Sequence, residues 1–281
     1  MIAIIAILAL AIASYTDLKT REVPDWLSFS LIAAASGLRI IISIISWDLT
    51  PIIDGFFGAL LGIILAYMMF YSGQWGGGDS KMLIGLGALI GLQFRATSTL
   101  VGFLVNLLFI GASYGLLWSI GLAIKNRKEF KKQAKNYTDS SFFKRMRIVT
   151  VITVAMCMFG ALFSADRIVR LILIVFAGFL FIMLYLWMFV KVVEGACMLK
   201  WIEPNKLTEG DWIAKPVFSK NKYLCGPKDL GITKKQIAEL QKNKKIKKVL
   251  IKEGIPFVPS FLLAYIFTIW LGNIALLMLG A

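Results

Sequence analysis

The sequence predicts an all-α polytopic membrane protein of six to eight transmembrane helices, with a small cytoplasmic α+β insertion before the last helix. Three observations lead there. The chain of 281 residues is 58% hydrophobic, with a mean hydropathy of +0.77, above the apolar share of an ordinary soluble domain. Its apolar residues fall in long runs separated by short polar breaks, and its basic residues gather on one side of the implied topology.

The apolar stretches cover residues 1–16, 26–46, 51–71, 82–93, 97–124, 148–164, 168–190 and 256–280. The first, fourth and sixth fall near or below the roughly 17 residues that a straight span needs, which sets the range of six to eight. The first stretch, MIAIIAILALAIASYTD, has no basic residues before its apolar run and no convincing small-residue cleavage site, so a retained helix is expected. Small residues at four-residue spacing, Gly58 with Gly62, Gly87 with Gly91 and Gly111 with Gly115, are expected to let helices pack closely.

A net charge of +15 would suggest nucleic-acid binding in a soluble protein, but its distribution fits a membrane better. With the N-terminus outside and eight spans, all of the 31 Lys and Arg residues except Arg39, Arg95, Arg167 and Arg170 lie on the inner side. The basic loops thus fix topology and face the anionic lipid of the bilayer, and no nucleic-acid partner is expected.

The expected organisation is an N-terminal membrane core over residues 1–124, a basic cytoplasmic connector over 125–147, membrane helices over 148–193, a small cytoplasmic domain over 194–255 and a C-terminal transmembrane helix over 256–281. Phe130, Phe142 and Phe143 of the connector are expected at the lipid interface. In the small domain, Thr233 and Gln236 have capping-box spacing at the head of a helix, KKVLIKE reads as a strand and DWIAKPVF as a second. Pro256 and Pro259 then end that domain's regular structure.

The chain has no histidine, and Cys157, Cys197 and Cys225 form no CxxC pair. The usual zinc sites and every histidine-based triad are excluded, and no metal or cofactor is expected. The same lack disarms GASYG, Gly111 to Gly115, which matches the serine-hydrolase elbow pattern but lies inside an apolar run.

Two aspartates remain. Asp17 closes the first apolar run, and Asp79 stands in GGGDSKML between the third and fourth. The first and third helices run in the same direction, so both carboxylates reach the same inner boundary, where ionisable groups are usually paired or line a watery cavity. Two carboxylates sharing a site cannot both ionise freely. One can take a proton from an attacking water while the other hydrogen-bonds the developing oxyanion and helps the amine leave. Gly76, Gly77 and Gly78 are expected to supply a backbone free to adopt positive φ and open to an extended substrate. Lys81 is expected at the interface, near enough to influence Asp79, and Asp25 as a helix cap. Read singly, each aspartate is an interfacial cap; together they suggest a catalytic pair.

These segments resemble the GxGD-type membrane aspartyl proteases, and within them the type IV prepilin peptidases of archaea, especially the preflagellin peptidases. DLKTREVPDWL is similar to the family's first-aspartate segment, Gly76, Gly78 and Asp79 occupy the G-x-G-D positions, and KEGIPFVPSFLLA resembles the C-terminal part of the archaeal enzymes. The resemblance implies that Asp17 and Asp79 form a catalytic dyad. It implies that the substrates are prearchaellins or prepilins with class III signal peptides, cut at the cytoplasmic face of the cell membrane. A signal-peptide-peptidase-like enzyme would show a Tyr-Asp pair, whereas Thr16 separates Tyr15 from Asp17 here. A proton- or cation-coupled transporter would hold its aspartates nearer mid-membrane.

Overall fold

Among the described residues, six helices are long and apolar enough to cross a membrane, the architecture of a multi-pass membrane protein. The fold comes from a computed structural model, which describes residues 1–95, 97–219, 222–243 and 246–279. The long helices are α1 (Ile2–Thr20), α2 (Asp25–Ser46), α3 (Thr50–Tyr71), α5 (Thr99–Lys125), α7 (Ser141–Phe163) and α8 (Arg167–Val193). Two shorter apolar helices, α4 (Gly77–Ile90) and α10 (Val258–Leu271), have 14 residues each, or about 21 Å at 1.5 Å per residue, short of a hydrocarbon core of about 30 Å.

The chain forms two compact units, Met1–Trp118 with Ile202–Ala281, and Ser119–Trp201. The second contains the end of α5, the basic helix α6 (Arg127–Asp139), α7 and α8. Its helices are capped as their sequences imply: Ser140 Oγ accepts the Phe143 N–H, and Asp166 Oδ1 accepts the Ile168 N–H at 2.7 Å. Of the connector's phenylalanines, Phe142 is exposed, but Phe143 is buried and Phe130 packs on Phe189 with ring centroids 5.8 Å apart. Tertiary packing has claimed two of the three rings expected at lipid.

In the first unit, α4 is the most enclosed helix, with its residues from Met82 to Ile90 buried apart from Ile84. It packs on α3 at Gly58 and Gly62. A Cβ on Gly58 would meet the Gly87 carbonyl, and one on Gly87 would meet the Gly58 carbonyl, so the two backbones cross almost in contact. The C-terminus of α4 ends inside the unit and leaves carbonyls that need donors. Arg39 of α2 supplies them: its Nη2 donates to the carbonyls of Leu89, at 2.8 Å, and Ile90, and its Nη1 to that of Pro51. The buried Arg39, at an outer position in the sequence topology, is therefore a helix cap delivered from a neighbouring helix. Arg39→Met should leave these carbonyls unpaired, at about 1–3 kcal/mol each by analogy with other buried polar groups. A fall in the melting temperature of the detergent-solubilised protein is expected, and an unchanged one would refute this role.

The last apolar stretch is broken. It yields α10, then Gly272 at φ 77°, then α11 (Ile274–Leu279). Buried Asn106 spans the break: its Nδ2 donates to Thr268 Oγ1 and the Gly272 carbonyl, and its Oδ1 accepts the Ile274 N–H.

The polar insert before α10 has the α+β content expected. After β1 (Leu199–Ile202), β2 (Trp212–Ile213) pairs antiparallel with β5 (Val249–Lys252), and β3 (Val217–Ser219) with β4 (Lys222–Cys225). Helix α9 (Lys234–Lys242) starts with the capping box of Thr233 and Gln236. Leu224, Cys225, Ile232, Leu240, Val249 and Ile251 form its core. Burial there, with the nearby Asp229 charge, pushes the Cys225 thiol up to about 11. Because the thiolate is the reactive form, Cys225 should resist maleimide at pH 7.5 in the folded protein and react only after denaturation. Mass spectrometry of the intact protein would report either result.

Candidate active site

Asp17 lies in the last turn of α1 and is buried, at 5% exposure. The α1 C-cap, Arg21, sits in the left-handed region at φ 62° and donates its N–H to the Asp17 carbonyl. The Asp17 side chain reaches the far end of the sequence, where its Oδ2 accepts the Val258 N–H at 3.0 Å. This bond explains the GIPFVPSF segment locally. Val258 and Pro259 open α10; Pro259 has no N–H, Ser260 donates to the Phe257 carbonyl, and Asp17 takes the Val258 donor. A carboxylate at a helix N-terminus also meets the positive end of its dipole.

Asp79 is the third residue of α4, and its Oδ2 accepts the Gly76 N–H at 3.1 Å. Ser80, one residue on, donates its Oγ hydrogen to the Gly76 carbonyl, fixing the same turn from the other side. The two aspartates come close enough for the charge of Asp17 to act on Asp79. The fold thus places within electrostatic reach the carboxylates that stand 62 positions apart in sequence.

The three glycines divide their work. None has positive φ; Gly76 is extended, and the left-handed glycine of this loop is Gly73, at φ 68°. The expected positive-φ role is therefore corrected: helix α4 begins at Gly77, so Gly77 and Gly78 are already helical. Gly78 is needed for packing, because an added Cβ would stand 2.9 Å from the Val23 Cβ and 3.3 Å from its backbone nitrogen. That contact seats the α1–α2 loop on the head of α4 and so holds the two aspartate segments together. Gly77 is exposed, and a Cβ there would meet nothing within 4 Å.

Lys81 turns to a neighbour: its Nζ pairs with Asp25 Oδ1, and it lies 5.4 Å from the centroid of the Phe29 ring. Asp25 is not the cap of α2, a position Pro24 takes; it stands in the first turn and ties α2 to α4 through Lys81. Around the pair, Trp75 packs on Phe257 and Phe261 at centroid distances of 5.8 and 5.2 Å. Phe257 fills the space that Gly111 leaves open, where a Cβ would come within 2.8 Å of its ring. The first glycine of GASYG is thus a packing position, and Ser113 bonds its own helix at the Phe109 carbonyl.

The insert also borders this region. The tip of the Trp212 indole lies beside Gly73, and Asp211 is held through its Oδ2 by the Thr208 N–H at 2.8 Å. Burial raises the Asp211 carboxyl above the ordinary value, with the charges of Glu22 and Glu253 adding to the effect. Val258, Phe257 and Val23 were not singled out in the sequence, since main-chain donors and apolar spacers carry no local signal of chemistry. Among the described residues, no group of three or more His, Cys, Asp or Glu side chains has the arrangement to hold a metal.

The segment containing both aspartates is the part that a family model matches. Residues 4–119 match the type IV leader peptidase family. The chain is 41% identical over 107 residues to the preflagellin peptidase of Methanococcus maripaludis, covering 38% of this chain and 46% of that protein. It is 35% identical over 107 residues to the preflagellin peptidase of Methanocaldococcus jannaschii, covering 38% and 45%. Against the preflagellin peptidase of Methanococcus voltae it is 36% identical over 86 residues, covering 31% and 36%. The chain thus spans less than half the length of each of these relatives. No solved structure matches.

Proposed function

We propose that this protein is a membrane aspartyl endopeptidase that removes the short basic leader from prearchaellin or type IV prepilin-like precursors, at the cytoplasmic face of the cell membrane. The observation that carries the reading is that Asp17 and Asp79 lie within electrostatic reach of each other, in the segment that matches the type IV leader peptidase family. Each carboxylate already accepts one main-chain N–H, from Val258 and Gly76, so both are oriented before substrate arrives.

In the proposed reaction, the ionised member of the pair takes a proton from water as the water oxygen bonds to the scissile carbonyl carbon. The protonated member hydrogen-bonds the oxyanion. Collapse of the tetrahedral intermediate breaks the C–N bond, and a proton from the pair goes to the departing amine. Neither step needs a histidine, which the chain lacks. Substrates would be precursors with class III signal peptides, whose basic leader stays on the inner side while the following apolar segment lies in the bilayer.

Co-expression with candidate precursors, scored by the mobility shift of leader removal, tests this function. A shift with the wild-type protein is expected, and precursor left at full length by a well-expressed wild-type protein would refute it. The sidedness has its own test. Lys135→Cys and Lys228→Cys, both at exposed positions, are expected to react with an impermeant maleimide only in inside-out vesicles. Labelling of either in right-side-out vesicles would overturn the cytoplasmic assignment.

A further inference from the structure

Beside Asp17 lie two donors that nothing in the proposed chemistry uses. Arg21 Nη1 and the Tyr114 hydroxyl are both buried and have no hydrogen-bond partner among the described residues. They share a support: the Arg21 guanidinium lies over the Trp118 ring at 5.2 Å, and the Tyr114 ring packs on the same indole at 5.8 Å with an interplanar angle of 31°. The hydroxyl is close enough to feel the charges of both Asp17 and Arg21. Arg21 also holds one of only two positive-φ non-glycine conformations among the described residues. Such a backbone is unfavourable for a residue with a side chain and persists where the surroundings enforce it.

Two desolvated donors left unpaired lower stability, and a folded protein rarely retains them without use. The next residue of α5, Gly115, carries no side chain, and a Cβ there would meet nothing within 4 Å. A group that pairs with both must be an acceptor with two lone pairs, presented next to Asp17. A peptide carbonyl oxygen meets that description, and it is the one acceptor that every peptide substrate brings regardless of sequence.

We propose that Arg21 and Tyr114 form a substrate-binding pair that receives a backbone carbonyl of the precursor next to the cut bond and holds the peptide across the two aspartates. The inference rests on the peptidase reading and extends it to a subsite. GASYG then acts through its tyrosine, on the inward face of α5, and not through the serine that the motif suggests. Because the bond forms in the bound substrate and persists through the reaction, its loss should raise KM and leave kcat nearly unchanged.

The test uses the full-length protein in liposomes and a synthetic precursor peptide with a Lys-containing leader followed by an apolar segment. Tyr114→Phe deletes only a hydroxyl that has no partner among the described residues, so a purely structural role predicts an unchanged or higher melting temperature and unchanged kinetics. We expect unchanged or higher thermal stability together with a KM raised about tenfold, the effect of one lost hydrogen bond to the ligand. Arg21→Gln should raise KM further, and Arg21→Lys should recover part of the loss. Binding of the uncleaved peptide to Asp79→Asn, with and without Tyr114→Phe, should show the same tenfold weakening. Wild-type KM and wild-type peptide affinity in the Tyr114→Phe proteins, with leader removal intact, would overturn this inference alone. A wild-type protein that does not cut the peptide would overturn the peptidase reading and this subsite with it.

Discussion

Asp17→Asn and Asp79→Asn should each reduce leader removal by at least about a thousandfold, because in the proposed mechanism each removes one half of a proton-transfer pair whose members cannot substitute for each other. The substitutions are nearly isosteric, and an asparagine carbonyl can still accept the Val258 or Gly76 N–H that each aspartate now holds. Membrane levels and melting temperature should therefore stay close to wild type, so that the loss is read as chemistry. Cleavage by either variant above a few per cent of the wild-type rate would remove that aspartate from the catalytic pair. Chelators should leave wild-type activity unchanged, since neither proposed step uses a metal.

The second large effect is expected at Gly78. A Cβ at this position runs into the Cβ and main-chain nitrogen of Val23, groups that cannot swing aside as a long side chain would. Gly78→Val should displace the loop between α1 and α2, separate the aspartate segments, and abolish activity while lowering the melting temperature. Gly77→Ala is the informative partner, because its added methyl meets open space. It should fold normally, and any fall in its activity would measure how closely the substrate backbone approaches the head of α4. Wild-type activity in Gly78→Val at matched protein level would show that the contact with Val23 does not position the site. Gly87→Ala should also lower the melting temperature, because its methyl would strike the Gly58 carbonyl at the α3–α4 crossing.

Much of this organisation is legible in the sequence where one segment suffices to specify it. Long apolar runs become the six long helices, the Thr233 and Gln236 spacing becomes a capping box, and KKVLIKE contains strand β5. Asp17 and Asp79 stand out because carboxylates at a membrane boundary are costly. What the sequence could not disclose is which distant segment completes each local feature. The Val258 N–H that holds Asp17 is 241 residues away, and the Arg39 guanidinium that caps α4 is 50 residues from the Leu89 carbonyl. Local rules misled at Asp25 and at the triple glycine, as they did at Phe130 and Phe143. Asp25 has the composition of a cap, yet Pro24 takes that position and Asp25 pairs with Lys81. The triple glycine suggested unusual dihedral angles, yet Gly78 is required for the approach of Val23.

The central claim is that Asp17 and Asp79 act as one unit, and a double-mutant comparison tests it most directly. The full-length wild-type protein, Asp17→Asn, Asp79→Asn and the double variant would be reconstituted in liposomes at equal amounts. Their first-order rates of leader removal from one synthetic precursor would be followed by mass spectrometry. If the pair is the catalytic unit, both single variants and the double variant share the same residual rate, because removing the second carboxylate takes nothing more from a unit already broken. A double variant slower than the singles by the product of their separate effects would show two independent contributions and contradict the account.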